Sequence, residues 1–214
     1  HNLFVVEDAA QAVGAVYRNK KAGSFGIGAG FSLHPLKNLH VHGDGGVVTT
    51  NNSKLYEKLL QYRNHGLINR DECGFWGINS RLDAVQAGIG NIKLKYIDKW
   101  NNRYKEIAKI YTKNLNGYVS VPIMKEHEEP VFHRFMIRHP ERAGLQAFLA
   151  DNDIETKVNY PIPLHLQPAA KDLGYKKGDY PVAEKLADTI LSLPLYPELR
   201  DDQVYYVIEK IIQF

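Results

Sequence analysis

A lysine near the start of the chain lies where it could form a covalent bond with an aldehyde. Lys37 belongs to the loop Leu33-His34-Pro35-Leu36-Lys37-Asn38, which follows a predicted strand. A free lysine amine titrates at about 10.4, so it needs partial desolvation or neighbouring cations to be a nucleophile at neutral pH. Without further context, a solvated surface lysine is the simpler interpretation.

A carboxylate and a hydroxyl could complete such a site. Asp8 follows a short apolar run at residues 3–6, which predicts a buried strand, and ligand sites in open α/β sheets lie at the carboxyl ends of strands. The Asp8 carboxylate could keep a pyridinium nitrogen protonated, or cap the helix predicted to begin there, and the two roles are compatible. Ser32, five residues before Lys37, could donate to a phosphate, although most strand serines bind nothing.

Other binding motifs fail on their spacing. In Gly26-Ile27-Gly28-Ala29-Gly30 the third glycine of a dinucleotide fingerprint is replaced by Phe31, and the stretch precedes a strand instead of a helix. Gly43-Asp44-Gly45-Gly46 lacks the Lys-Ser/Thr of a phosphate loop and fits a tight turn. The histidines 34, 40 and 42 have no HExxH or cysteine pair beside them, so we predict no metal site.

Hydrophobic periodicity predicts the elements that must position these residues. Strands are expected at 28–33, 47–50, 131–138 and 156–160, and helices at 54–63, 141–151, 179–191 and 201–212. Asn52 or Ser53 could cap the first helix, and Asn64-His65-Gly66 ends it. Ser80-Arg81-Leu82-Asp83 resembles a capping box that opens one long helix over 81–116. We therefore predict a partial first domain at 1–80, a linking helix at 81–116 and an α+β domain at 117–214.

Composition excludes several classes of protein. The 214 residues are 44% hydrophobic and carry a net charge of +3 with both signs interspersed, so nothing indicates a nucleic-acid surface. Cys73 is the single cysteine, which excludes an internal disulfide and favours a cytoplasmic location. No apolar run approaches the roughly 18 residues of a membrane helix. Because a core strand is predicted directly after His1, we interpret the chain as a fragment or as one whose first part is missing.

Several motifs in order resemble the DegT/DnrJ/EryC1/StrS family of sugar aminotransferases, and the likeness runs through nearly the whole chain. The matching pieces are Glu7-Asp8-Ala9-Ala10-Gln11-Ala12, Gly23-Ser24-Phe25-Gly26, the stretch from Phe31 to Leu39, Gly43-Asp44-Gly45-Gly46, Arg63-Asn64-His65-Gly66, Gly77-Ile78-Asn79-Ser80-Arg81-Leu82-Asp83, Tyr160-Pro161-Ile162-Pro163-Leu164-His165-Leu166-Gln167-Pro168 and Leu193-Pro194-Leu195-Tyr196-Pro197. The resemblance implies an α/β fold: an incomplete pyridoxal-phosphate (PLP) fold type I large domain with a mostly parallel sheet, a long helix, and a small α+β domain.

The resemblance also implies roles for individual residues. Lys37 would form the Schiff base with PLP, Asp8 would pair with the pyridine nitrogen, and Gln11 would bind the ring hydroxyl. Ser32 would bind the phosphate, and Asn79 would reach the phosphate bound by the partner chain of a homodimer. His34, Arg81 and His165, which lie in the matching motifs, are candidate substrate contacts.

The implied reaction is a transamination in amino-sugar biosynthesis. L-Glutamate would donate an amino group to a nucleotide-linked keto-sugar, and the motifs favour a 3-keto over a 4-keto substrate. Two alternatives stay open. One is a PLP-dependent sugar dehydratase, whose relatives lack the lysine that this chain keeps. The other is a non-catalytic C-terminal fragment of such an enzyme, because the family's first half, with part of the cofactor pocket, is absent.

Overall fold

The computed structural model describes all residues, 1–214, as short strands and six α-helices. The strands are β1 (Val6–Asp8), β2 (Val16–Tyr17), β3 (Lys20–Lys21), β4 (Gly28–Ser32), β5 (Gly46–Thr49), β6 (Glu128–Glu129), β7 (Phe135–Arg138) and β8 (Ile190–Leu193). The helices are α1 (Ser53–Tyr62), α2 (Ala84–Leu94), α3 (Ile97–Leu115), α4 (Arg142–Asp151), α5 (Pro181–Thr189) and α6 (Asp201–Gln213), with two 3₁₀ helices at Leu164–Leu166 and Pro168–Leu173. None of the helices combines the length and apolar content needed to cross a membrane.

The chain divides into two compact units. The first contains residues 1–102 and 125–133, and the second contains 103–124 and 134–214. The predicted domain boundaries at 80 and 116 stay a prediction. The segment 125–133, which we had placed with the C-terminal domain, clusters with the first unit because β6 pairs with β2.

The main sheet of the first unit has the order β1-β4-β5. β1 is parallel to β4, and β5 is antiparallel to β4. The sheet is thus mixed instead of mostly parallel, because residues 33–45 return to it through a loop without the crossover helix that a parallel neighbour requires. A second small sheet has the order β3-β2-β6.

Two local predictions near the chain start were wrong. The apolar run at 3–6 was expected to be a buried strand, but β1 begins only at Val6, and Phe4 and Val6 are 84% and 74% exposed. β1 is an edge strand, and no element of the chain covers these side chains. The helix expected after Asp8 is a series of turns, with Ala12 N–H donating to Ala9 O and Ala15 N–H to Ala12 O.

The long helix expected over 81–116 is two helices. α2 ends at Leu94, and α3 begins at Ile97. Between them the N–H groups of Lys95 and Tyr96 donate to carbonyls three residues back, which is a tighter turn than α-helix. The apolar spacing continues through this turn, so periodicity did not reveal the break. The proposed capping box is also wrong, since the N-cap is Asp83 and its side chain makes no capping hydrogen bond.

Most of the buried apolar side chains lie in the second unit. Its core is formed where α3, β7, α4, β8 and α6 pack together, and its fully buried members include Tyr111, Phe135, Leu145, Leu191 and Val204. β7 pairs antiparallel with β8, which starts at Ile190 where the helix expected to reach 191 ends. The strand expected at 156–160 is reduced to a single bridge between Lys157 and Ser192.

Candidate functional site

The register of β1 and β4 places two of the predicted site residues on one face of the sheet. Asp8 pairs with Gly30 in the parallel ladder. Directly paired residues share a face, and so do residues two apart on a strand, so Asp8, Gly30 and Ser32 all point to the same side. Ser32 lies about 6 to 7 Å beyond the level of Asp8 along the strand direction. The carboxylate and the hydroxyl are thus brought together at the carboxyl ends of two parallel strands.

Between these two side chains the sheet surface is open. A Cβ atom built on Gly30 would meet no other atom within 4 Å. Asp8 is exposed, and the neighbouring Val48, which pairs with Gly30 from β5, is 57% exposed. Gly30 therefore leaves a flat, accessible surface of backbone, with a carboxylate at one end and a hydroxyl at the other.

Lys37 lies in a closed loop that leaves this edge of the sheet. The loop returns on itself, since the N–H of Val41 donates to Leu33 O at 2.9 Å, and the N–H of Lys37 donates to His34 O at 2.9 Å. Leu33, Leu39 and Val41 are buried in the core of the first unit. The lysine side chain is half-buried in a loop whose base is anchored on both sides by apolar packing.

His40 also fixes the Lys37 backbone. Its Nδ1 lies 3.0 Å from Lys37 O, and its ring stacks on Trp100 with centroids 6.5 Å apart. Burial and then the charge of Lys93 lower the pKa of His40, which keeps the ring neutral at neutral pH. A carbonyl can only accept, so Nδ1 carries the hydrogen and donates to Lys37 O. Sequence reasoning missed this role of His40.

Asp8 acts locally as a turn residue instead of a helix cap. Its Oδ1 accepts the N–H of Ala10 at 3.1 Å, which is the pattern of an Asx turn. Gln11 follows in the same turn and is exposed. Of the two roles left open for Asp8, the helix cap is excluded because no helix begins there.

Glu7 holds the opposite face of the sheet, a role that sequence reasoning missed. Its Oε1 accepts the N–H groups of Phe25 and Gly26 at 2.6 and 2.7 Å, and its Oε2 accepts that of Gly23 at 2.7 Å. These bonds pin the glycine-rich turn against the back of β1. The alternation of Glu7 and Asp8 in a strand was the available signal, since neighbouring strand residues face opposite sides.

Asn79 and Arg81 lie together in a surface cluster of the first unit. Arg81 Nε donates to Asn79 Oδ1 at 3.0 Å, and Arg81 Nη1 donates to Asn64 Oδ1 at 3.3 Å. Asn64 and Asn79 are also joined by an isolated antiparallel bridge. Asn79 and Arg81 are exposed, so the cluster presents amide and guanidinium groups to the surroundings.

The other two predicted substrate contacts differ in their surroundings. His34 is exposed, and its Nδ1 accepts the N–H of Leu36 at 3.2 Å. His165, in the second unit, has its Nε2 2.9 Å from Glu184 Oε1, and both side chains are largely buried. The N–H of Gly178 and the contact with His165 hold the pKa of Glu184 below its ordinary range.

No three His, Cys, Asp or Glu side chains are grouped so that they could hold a metal ion.

The observed α/β architecture agrees with part of PLP fold type I, the fold class that the motifs implied. The chain matches the model of the DegT/DnrJ/EryC1/StrS aminotransferase family over residues 1–212, and it belongs to that family. The resemblance drawn from the motifs is thereby confirmed.

Individual relatives agree with this assignment. The chain is 45% identical to a pleiotropic regulatory protein of Geobacillus stearothermophilus and 40% identical to the dTDP-3-amino-3,6-dideoxy-alpha-D-galactopyranose transaminase of Aneurinibacillus thermoaerophilus. Each match covers 100% of this chain and 59% of the relative. The crystal structure of S. venezuelae DesV in complex with a ketimine intermediate superposes with a TM-score of 0.96 at 39% identity, covering 100% of this chain and 58% of that one. The chain thus spans a little under three fifths of the proteins it matches.

The residues present fit the cofactor on which this family depends. A pyridine ring needs a flat surface, and a side chain at position 30 would occupy the space over the strands that Gly30 leaves open. The Asp8 carboxylate suits a pyridinium nitrogen, the Ser32 hydroxyl suits a phosphate, and the Lys37 amine suits an aldehyde. Asp8 and Ser32 lie on the same face of the sheet, and the loop that carries Lys37 follows Ser32 directly in the chain.

Proposed function

We propose that this chain carries the lysine-bearing part of an aminotransferase that moves an amino group from L-glutamate to a nucleotide-linked keto-sugar. The observation that carries the proposal is the shared face of Asp8, Gly30 and Ser32, with Lys37 in the anchored loop that follows. The name of the Aneurinibacillus relative supports a nucleotide-linked substrate aminated at the 3-position. We therefore favour a 3-keto-sugar over a 4-keto-sugar.

PLP, when bound, supplies an electron sink that stabilises negative charge at the substrate carbon. The Lys37 amine would hold the cofactor through its aldehyde carbon, and an incoming donor amine would release it. The released Lys37 amine would act as the base that takes the proton from the substrate Cα and as the acid that returns it. The Asp8 carboxylate would hold the pyridine nitrogen in its protonated form through a charge-assisted hydrogen bond.

Polar side chains of the matching motifs would orient the cofactor and the substrate. Ser32 Oγ accepts the N–H of His34 at 3.3 Å, and this contact leaves the hydroxyl hydrogen available to donate to a phosphate oxygen. Gln11 binds the ring hydroxyl from the turn after Asp8. His34, Arg81 and His165 are proposed sugar-nucleotide contacts.

A homodimer with shared sites is part of this proposal. Asn79, exposed and oriented by Arg81, would reach the phosphate bound by the partner chain. In a twofold dimer each chain gives and receives the same contact. We also propose a cytoplasmic location, with which the single free cysteine, Cys73, is compatible.

The test of this proposal is covalent capture of PLP. PLP added to the chain should give an absorbance band at the edge of the visible range, and borohydride reduction should fix the cofactor mass on the peptide that contains Lys37. Lys37→Ala should lose both signals. Lys99→Ala, which removes an exposed lysine of α3, should keep them. The bound form should then lose its band on addition of L-glutamate and regain it on addition of a 3-keto nucleotide sugar.

The non-catalytic fragment is the second candidate, because the chain spans only 59% of its relatives and the face over Gly30 is open. The same PLP titration should be repeated on a longer protein that includes any residues that the gene encodes before His1. Capture only by the longer protein would assign the activity to that protein and leave this chain as an incomplete site. No capture by either form would overturn the proposed function.

A further inference from the structure

Two buried amides lie beneath the lysine loop. Asn38, the residue after Lys37, is 6% exposed, and Asn101 in α3 is 4% exposed. Asn38 Nδ2 donates to Asn101 Oδ1 at 2.9 Å and to Val131 O at 3.1 Å. The loop is thereby hydrogen-bonded to a helix 63 residues further along the chain.

Asn101 extends this connection to the segment that carries the carboxylate. Its Nδ2 donates to Val13 O at 2.9 Å, in the turns that follow Asp8 and Gln11. Gly14, the next residue, has φ +86°, and a Cβ there would lie 2.7 Å from Asn101 Nδ2. Glycine at this position accommodates the contact, since it adopts this positive φ without steric cost and leaves room for the amide.

Stability alone does not explain this pair. Asn38 Oδ1 is buried and has no hydrogen-bond partner, which costs free energy that an apolar pair of similar volume would avoid. Hydrogen bonds are directional, so the polar pair fixes a specific geometry that an apolar pair would not. It joins the lysine loop and the Asp8 turn to one side chain, which fixes their separation.

We propose that Asn101, acting through Asn38, is a positioning residue for Lys37: it holds the lysine loop at a set distance from the turn that carries Asp8 and Gln11. The inference rests on the proposed function, because it concerns the distance between the groups that bind the two ends of a PLP ring. Asn101 acts only through other residues and touches no reacting atom.

The first test compares Asn101→Leu with Tyr111→Phe. Leucine is close in volume and removes both amide contacts. Tyr111→Phe removes another hydrogen bond of a buried side chain, from Tyr111 Oη to Pro194 O at 3.0 Å in the second unit, and serves as the control. Under conditions where near-UV circular dichroism shows both variants folded, Asn101→Leu should slow the bonding of Lys37 to PLP roughly 10- to 100-fold. It should also shift the pH midpoint of the absorbance band, whereas Tyr111→Phe should change neither.

A double-mutant comparison tests whether the two amides act as one unit. Asn38→Leu and the double variant Asn38→Leu/Asn101→Leu should slow Lys37 bonding by the same factor as Asn101→Leu alone, because each breaks the same link. Multiplicative slowing would show independent effects and overturn the proposal. Unchanged rate and pH midpoint in a folded Asn101→Leu protein would do so as well.

Hydrogen exchange on the cofactor-free protein separates this inference from the proposed function. Asn101→Leu should speed amide exchange in peptides covering both 8–15 and 33–42, and Tyr111→Phe should leave both peptides unchanged. If the wild-type protein never captures PLP, the proposed function fails, while this measurement still decides whether Asn101 holds the two segments. Unchanged exchange in either peptide would remove the basis of the inference.

Discussion

The adjacent acidic residues of β1 have different roles because neighbouring side chains in a strand point to opposite faces of the sheet. Glu7 points to the back of the sheet, where its carboxylate accepts three backbone N–H groups. Asp8 points to the opposite, open face, which it shares with Gly30 and Ser32. Burial raises the pKa of Glu7, but the hydrogen bonds from Gly26, Gly23 and Phe25 outweigh it, and the net pKa is lowered. Glu7 therefore stabilises the strand that presents Asp8.

We expect Glu7→Gln to destabilise the protein at neutral pH, since an amide NH₂ would face backbone donors where a carboxylate oxygen accepts now. The folded pKa of Glu7 lies below the unfolded value of 4.5, so this contribution is complete above that value and is lost as the pH falls through the lowered pKa. Urea unfolding of both proteins at several pH values should show a gap that narrows in acid. A gap that stays constant, or grows, in acid would contradict this role.

Among the elements, β4 is the one on which the candidate site depends. It is the central strand of its sheet, with β1 as its parallel neighbour and β5 as its antiparallel neighbour. Its carboxyl end leads directly into the lysine loop. The uncovered Gly30 in this strand is the feature that a bound ring would use, so the strand can be tested without altering any charged group.

Gly30→Ala should preserve folding and weaken PLP binding. A methyl group at this position meets no other atom, and alanine in a strand gains about 0.5 to 1 kcal/mol over glycine. Crowding a bound ring by one methyl should cost about 1 to 3 kcal/mol, or roughly 5- to 150-fold in Kd.

The matched control is Gly88→Ala in α2, where an added Cβ also meets nothing. It should raise stability by about 1 kcal/mol and leave PLP binding unchanged. Thermal unfolding and spectrophotometric titration measure the two properties separately. Equal PLP affinity in the two variants would show that Gly30 is not the floor of the site.

On the scale of the whole chain, the two units differ in how much they bury. In the first unit all four residues of β5 are exposed, and α1 has no buried residue. In the second unit α6 buries four side chains, and β7 and α4 each bury two. The second unit thus has the larger core and the first carries the candidate site.

Amide hydrogen exchange of the cofactor-free chain should follow this difference. Peptides from β7, α4 and α6 should stay protected much longer than peptides from β5 and α1, because local opening costs least where few apolar contacts are lost. Phe135→Ala, in the core of the second unit, should cost about 3 to 5 kcal/mol and remove the protection of β7 and α4. Equal protection of α1 and α4 from hydrogen exchange in the wild-type chain would contradict the conclusion that the second unit has the larger core.

Local sequence patterns were enough to predict the helices and strands whose caps and hydrophobic periodicity lie within a few residues of one another. The helix α1 was predicted with its cap, and of the two candidates Asn52 is the one whose side chain accepts the N–H of Leu55. β4, β5, α4 and α6 also lie where periodicity placed them, within one or two residues. The family also followed from motifs that are contiguous in the chain.

The structural features that the sequence did not predict depend on contacts between residues far apart in the chain. The shared face of Asp8 and Ser32 depends on the register of two strands, and the amides of Asn38 and Asn101 meet across 63 residues. The break between α2 and α3 and the exposure of residues 3–6 depend on which partners pack against them. Residue type and spacing thus indicate which groups are candidates for the chemistry. Strand register and packing decide which residues come together, because those contacts join residues too far apart in the chain for any local pattern to record.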